Sequence, residues 1–377
     1  MGITVCMIAR NERPCLARAI HSIEAVADEI VLVDTGSTDG TPDLARELGA
    51  KVDFFNWCDD FSAARNKAVS LASQDWIFLL DCDEWLLPES VGLVRACLND
   101  PTALAFAILR QDLHSENPPA FTEMWQIRIF PRRADLRFIG RCHPDFHPSL
   151  NEIAAREGKQ ICSTQIRIRH DGYLARFTAE KLRRAARLLE LELADRPGQL
   201  YYQVELGRTL VMLGDQRGHD ILRQVAALMM EHRNDPQPPS PMLAGVLEYL
   251  MLPAAPPPGR ALAWPDILEL AHRWFPDSPP LLWRESQYLF STGDFAGAAE
   301  VLQRLVRMGE TLNYNRHTSF DPRIIGDDAK FNLGACYLRL AELDKAKAIF
   351  ESLQTGPRGT DAKFNLNTIA DLQRQFS

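Results

Sequence analysis

Asp81 and Asp83 stand two residues apart in LLDCDEW (79–85), at the end of an apolar run. Alternate residues of an extended segment point the same way, so both carboxylates can face one cation. Hard oxygen ligands of this kind suit Mg²⁺ or Mn²⁺, which keeps waters and bridges protein carboxylates to phosphate oxygens. A third carboxylate, Asp34 in VLVDTGSTDG (31–40), closes another apolar run and is followed at once by turn-forming residues. A D-x-D triplet alone arises by chance, and T-G-S-T-D-G is good turn chemistry in its own right. The pairing of Asp34 with Asp81 at equivalent strand ends is what points to a ligand.

The elements that must position these residues follow a repeating pattern. ITVCMI (3–8), EIVLVD (29–34), AKVDFF (50–55) and DWIFLLD (75–81) read as strands. Helix-like stretches separate them: 16–23, 41–48 with Thr41 as cap and Pro42 at the first helical position, and 61–73. Strands alternating with helices imply a mostly parallel sheet covered on both faces. Ligands of such sheets sit beyond the carboxyl ends of the strands. Three strands deliver polar residues there: Arg10-Asn11, Asp34 and Asp81.

Beyond about residue 175 the texture is helical. FTAEKLRRAARLLELELADR (177–196) carries Leu182, Ala185, Ala186, Leu189 and Leu193 on one stripe. Helix–turn–helix cadences recur at 204–215, 285–305 and 330–350. In the last, Leu333-Gly334, Tyr337, Ala346 and Phe350 fall at tetratricopeptide spacing. Proline-rich stretches at 235–242 and 253–260 interrupt the pattern. Helices that simply extend the catalytic core and a partner-binding array are both open readings.

Of the 377 residues, 46% are hydrophobic and 24% charged, which marks a globular chain. The net charge of −8 argues against bulk nucleic-acid or anionic-membrane binding. Eight scattered cysteines without C-x-x-C suggest reduced thiols and a cytoplasmic protein. No segment reaches the roughly 18 apolar residues of a membrane span, so no transmembrane segment is expected. Any homo-oligomer is expected to form through the helical domain.

CMIARNE (6–12), VDTGSTDGT (33–41), DDFSAARN (59–66) and DWIFLLDCDE (75–84) resemble the inverting family 2 glycosyltransferases of the GT-A fold. The branch they resemble most is that of the sublancin-type peptide glycosyltransferases, which carry tetratricopeptide-like C-terminal helices. The resemblance is strong over about 3–90 and patchy to about 175; beyond that it is architectural. It implies an α/β GT-A domain over 1–175, Rossmann-like with a mostly parallel sheet. An all-α, helical-repeat-like domain over 176–377 would follow, interrupted by prolines near 235–260. It implies a UDP-sugar donor, Mg²⁺ or Mn²⁺, and a peptide, protein or carbohydrate acceptor. Asp34 would accept from the uracil ring, with Ala9, Asn11, Thr35, Gly36 and Cys82 around the nucleotide-sugar. Asp81 would contact ribose or metal, and Asp83 the metal. Arg65 would sit near the diphosphate or base, or else be a helix-surface arginine.

The sequence departs from the family pattern at the catalytic base. The family often shows F-x-G-x-x-H-E after an arginine-rich strand. In RIFPRRADLRFIGRCHPDFH (128–147), Phe138, Gly140 and His143 match, but Pro144 stands at the Glu position. Asp145 is the nearest carboxylate and the chosen base, with His143 or His147 as alternatives. The five arginines of this segment (Arg128, Arg132, Arg133, Arg137, Arg141) could meet diphosphate or an acidic acceptor, and most of them read as a solvated strand edge. RHDGY (169–173) matches an H-x-G-Y element of the branch, which implies that His170 is a further metal ligand; an ordinary hydrogen-bonded histidine at a strand end is the other reading. A zinc cluster of Cys142, His143, His147, Cys162 and His170 lacks the paired knuckle spacing. Trp57 and Trp85 read as packing residues.

A non-catalytic helical-repeat interaction protein with a glycosyltransferase-like domain is the main alternative, and the intact D-x-D with Asp34 argues against it. A sugar nucleotidyltransferase would open on a glycine-rich phosphate loop, and MIARNERP has no glycine.

Overall fold

The computed structural model describes residues 1–116, 119–172, 178–252 and 263–376. Tyr173 of RHDGY, Phe177 at the head of the expected long helix, the 175/176 boundary and PAAPPPGR (253–260) lie outside the described residues. Two compact units divide the chain, Met1–Gly218 and His219–Ser377.

The first unit holds the strands β1 (Ile3–Ala9), β2 (Glu29–Asp34), β3 (Lys51–Phe54), β4 (Trp76–Leu79) and β5 (Glu84–Leu86). They continue with β6 (Ala103–Glu116), β7 (Pro119–Pro131), β8 (Arg137–Ile139), β9 (Asp145–His147) and β10 (Gln160–His170). Its helices are α1 (Arg13–Ile23), α2 (Thr41–Glu47), α3 (Phe61–Leu71), α4 (Val91–Cys97), α5 (Leu150–Glu157), α6 (Ala179–Asp195) and α7 (Leu200–Met212). The expected strands and helices up to Leu79 are all present, shifted by a few residues at their ends. One cap differs. Thr41 is the first helical residue and Gly40 (φ +82°) precedes it. The Thr41 hydroxyl is engaged elsewhere: it donates to Asp39 Oδ1 and accepts from the Glu12 N–H.

Eight strands form one sheet in the order β3-β2-β1-β4-β7-β6-β10-β5. β3, β2, β1 and β4 pair in parallel; β7 runs antiparallel between β4 and β6; β10 is parallel to β6, and β5 closes the edge antiparallel to β10. β1, β2, β3, β4, β6 and β10 therefore all run one way, and their carboxyl ends share one edge. The sheet is mostly parallel, as expected, with two reversed strands. β1 shows why it is covered on both faces. Ile3, Val5, Met7 and Ala9 enter a core with Leu16, Ile20 and Ile23 of α1, while Cys6 enters another with Ala68 of α3 and Ile153 of α5.

Asp60 caps α3 by accepting from the Ala63 N–H at 3.0 Å, and Thr178 caps α6 through the Lys181 N–H at 3.2 Å. The fold class changes to all-α at α6, yet α6 and α7 belong to the compact sheet unit. Of the expected α6 stripe, Leu182, Ala186 and Leu189 are buried; Glu192 is also buried, a carboxylate that periodicity alone does not flag.

Helix α8 (Gln216–Glu231) begins at the division between the units. The second unit continues with α9 (Leu243–Leu250), α10 (Trp264–Trp274), α11 (Pro279–Thr292), α12 (Phe295–Thr311), α13 (Asp327–Arg339), α14 (Leu343–Ser352) and α15 (Gly359–Phe376). The prolines of 235–242 fall between α8 and α9, where no helix forms. Leu333, Tyr337, Ala346 and Phe350 are all buried in one core. Gly334 lets α13 close on α14: a Cβ there would lie 2.8 Å from the Phe350 ring. Among the described residues no helix is long and apolar enough to cross a membrane.

Candidate active site

β2 ends on Asp34, registered beside Ala9 at the end of β1. The Ala9 carbonyl accepts from both the N–H and the hydroxyl of Thr35, at 2.8 and 3.0 Å. Asp34 is 2% exposed. Its Oδ2 accepts the Gly36 and Ser37 N–H groups at 3.0 and 2.9 Å. Its Oδ1 is buried with no partner among the described residues. Burying a carboxylate oxygen without a donor is costly. That oxygen is placed where it could accept from a donor that the described residues do not supply. Asn11, at φ +58°, fastens the neighbouring loop: its Oδ1 accepts the Thr38 N–H and its own N–H donates to Ser37 Oγ, both at 2.8 Å.

The second group gathers past the end of β4 and at the end of β10, beside Arg110 and Asp112 within β6. His170 is registered opposite both Asp112 of β6 and Glu84 of β5. Its Nδ1 meets Asp112 Oδ1 at 2.7 Å and its Nε2 meets Asp83 Oδ2 at 3.2 Å. Burial lowers the imidazole's proton affinity, but the carboxylates of Asp112 and Asp83 more than offset it and raise the pKa to about 9. Asp83 remains 32% exposed while Asp112 is buried. This is the order of a carboxylate–histidine–cation site, in which a buried acid fixes the ring and the other nitrogen faces the ion. Gly172 allows it: a Cβ there would lie 2.4 Å from His170 Nε2 and 2.8 Å from Asp83 Oδ2.

Asp81 faces arginines. Arg65 of α3 reaches it at 3.3 Å and Arg128 of β7 at 3.5 Å. Burial raises the Asp81 carboxyl, and the Arg65 and Arg128 guanidinium groups outweigh that, bringing it down to about 2. Arg128 is itself 4% exposed and donates to Glu84 Oε1 at 2.7 Å, so this arginine is not on a solvated edge. Arg110 of β6 pairs with Asp112 at 2.9 Å. Of the others in the segment, Arg132 and Arg137 are exposed, Arg132 donating to the Gln74 carbonyl, while Arg133 and Arg141 are half-buried, Arg133 pairing with Asp135 and Glu157 and Arg141 with Asp195.

The remaining expected site residues are distributed unevenly. The Cys82 side chain turns into the core, its thiol donating to the Ile8 carbonyl at 3.5 Å. Asp145 is exposed on β9 and accepts its neighbour Phe146's N–H at 2.7 Å. His143 (φ +48°) is exposed as a residue, but its ring packs edge-on against Tyr201. Lost hydration holds its pKa below the ordinary value, Glu205 pulls it up, and the charges of Arg110 and Arg65 push it down again. His143 therefore lies within electrostatic reach of the arginine cluster. Trp57 packs on Phe61 and Trp85 beneath Arg18, as expected of packing residues. All eight cysteines are free. Among the described residues no group of three or more His, Cys, Asp or Glu side chains forms a closed metal cage.

Sequence reasoning missed Arg110 and Asp112, and gave no role of their own to Glu84 and Gly172, which stand inside the quoted DWIFLLDCDE and RHDGY stretches. The polar residues Arg110 and Asp112, at period two within the long apolar β6 run, were the available signal.

Residues 4–158 match the family model described as glycosyl transferase family 2. A TPR repeat-containing protein of Synechococcus elongatus is 39% identical over 221 residues, covering 56% of this chain and 53% of the relative. The prophage-derived glycosyltransferase SunS of Bacillus subtilis is 31% identical over 94 residues, 24% of this chain and 22% of SunS. The chain thus spans about half the length of the first relative and less of the second. Among solved structures, TarS of S. aureus aligns over 66% of this chain and 51% of its own, at 14% identity and a TM-score of 0.38.

Proposed function

We propose, from the glycosyl transferase family 2 domain that residues 4–158 form, that this chain transfers a sugar from a UDP-sugar to an acceptor, inverting the anomeric carbon. The observation that carries this reading is the Asp83–His170 pair, 3.2 Å apart and backed by Asp112. Cis ligands of an octahedral Mg²⁺ or Mn²⁺ stand roughly 3 Å apart, since each bond is about 2.1 Å. The donor set fits such an ion: Asp83 and His170 would hold it, the ring giving up its Nε2 proton on binding. When bound, it supplies charge to offset the leaving diphosphate.

The chain's own residues do the rest. Asp34 accepts the uracil ring N–H through its unpartnered Oδ1. The Thr35-Gly36 backbone, Ala9 and Asn11 frame the nucleoside. Asp81, kept ionised by Arg65 and Arg128, faces the ribose or the ion. His143 takes the acceptor's proton: its pKa is held low, so it is neutral and able to accept at neutral pH. Asp145, exposed and accepting the N–H of its neighbour Phe146, is the weaker candidate. Residues 1–175 carry out the chemistry and 176–377 position the acceptor, a peptide, a protein or a carbohydrate. The eight free thiols support a cytoplasmic site of action.

The test is UDP release from a panel of UDP-sugars with Mn²⁺, with chelator, and in Asp83→Ala. Release by the wild-type chain with Mn²⁺, lost in the other two, is expected. Equal release in all three ends the reading.

A further inference from the structure

The loop after β8 carries His143 and is gripped from two helices. From α6, Glu192 accepts the Arg141 N–H at 2.5 Å and Asp195 pairs with the Arg141 side chain at 2.6 Å. From α7, Tyr202 lies so close to Gly140 (φ +102°) that a Cβ there would stand 2.6 Å from its hydroxyl. Tyr201 meets the His143 ring edge-on, centroids 5.8 Å apart and planes at 65°. Glu205 lies four residues beyond Tyr201, on the same face of α7. Its side chain is 23% exposed, with Arg208 at 3.5 Å.

The charges acting on His143 come from three elements: Glu205 from α7, Arg110 from β6 and Arg65 from α3. Two are positive and oppose an imidazolium. Pro144, the next residue in the chain, has no carboxylate to offer.

We propose that Tyr201 and Glu205 are positioning residues for His143, Tyr201 setting the plane of the ring and Glu205 supplying the negative charge that steadies it once protonated. The inference rests on the reading of His143 as the base. The acceptor's X–H proton passes to a ring nitrogen of His143. The electron pair left on X forms the bond to the anomeric carbon. The pair of the sugar–phosphate bond departs with UDP. Without Glu205 the charges named as acting on the protonated ring would be those of Arg110 and Arg65 alone, each already paired with a carboxylate, Asp112 and Asp81. The helices after the sheet thus complete the base and do more than recruit an acceptor.

Two measurements on the full chain test this. The first is UDP release from UDP-glucose with Mn²⁺, water as acceptor, from about pH 5 to about pH 9. The second is a ring NMR titration of His143, its signal identified by loss in His143→Gln. Glu205→Gln should lower kcat roughly tenfold with KM for UDP-glucose unchanged. It should move the His143 midpoint to lower pH by about half to one unit, and Glu205→Asp should restore part of both. A Glu205→Gln midpoint identical to wild type overturns the proposal, even where turnover falls, because a purely structural role would do that. An unchanged rate and acid limb in His143→Gln instead removes the base assignment, and the NMR midpoint still decides whether Glu205 acts on the ring.

Discussion

Gly172→Ala is a small change aimed at the centre of the site. The added methyl would sit 2.4 Å from His170 Nε2 and 2.8 Å from Asp83 Oδ2. An ordinary contact needs the atoms about 1 Å further apart. The ring cannot retreat freely: Asp112 holds Nδ1 at 2.7 Å and the side chain is only 14% exposed. The pair must therefore open by about 1 Å, a misplacement that costs on the order of 100-fold where geometry sets reactivity. Disturbing a ligand's supporting shell costs about 10–100-fold in metal affinity, which is about 1.4–2.7 kcal/mol. Electron paramagnetic resonance titration of Mn²⁺ in the presence of UDP reads that loss directly, with circular dichroism as the check on folding. Wild-type Mn²⁺ affinity in a folded Gly172→Ala chain would refute the reasoning, because the pair would then not be where the ion binds.

Asp34→Asn should weaken UDP binding roughly 10- to 100-fold by calorimetry, since a hydrogen bond to a charged acceptor contributes about 1.5–3 kcal/mol; unchanged affinity would remove Asp34 from the nucleoside site. Arg128→Met leaves Glu84 buried without its 2.7 Å partner and should cost about 3–5 kcal/mol in urea unfolding; adding Glu84→Gln should recover much of it. Gly334→Ala drives a methyl into the Phe350 ring and should destabilise the helical unit by about 1–3 kcal/mol, with Phe350→Leu relieving the clash in thermal unfolding.

The parallel half of the sheet was legible because β1, β2 and β4 are short, β-branched and flanked by turn residues, and because a parallel sheet delivers their ends to one edge. Asp34, Asp81 and Asp83 were legible for the same reason. What local pattern could not give was pairing. β7 inserts between β4 and β6, and β10 returns beside β6; only that long-range order sets His170 against Asp112 and Asp83. Arg128 read as a surface residue because its neighbours Arg132 and Arg133 are, yet its side chain points to the buried carboxylate Glu84. Glu192 and Tyr201 sit on α6 and α7, and their contacts with the loop after β8, to the Arg141 N–H and the His143 ring, are tertiary.

The central claim is that Asp83 and His170 hold a divalent ion on the phosphates of a uridine nucleotide seated on Asp34. A crystal grown with UDP and Mn²⁺, measured at the manganese absorption edge, tests it most directly. The account predicts an anomalous peak about 2.0–2.3 Å from Asp83 Oδ2 and His170 Nε2, with a uracil N–H against Asp34 Oδ1. Bound UDP with no manganese there, and Asp83 still paired to His170, would contradict it.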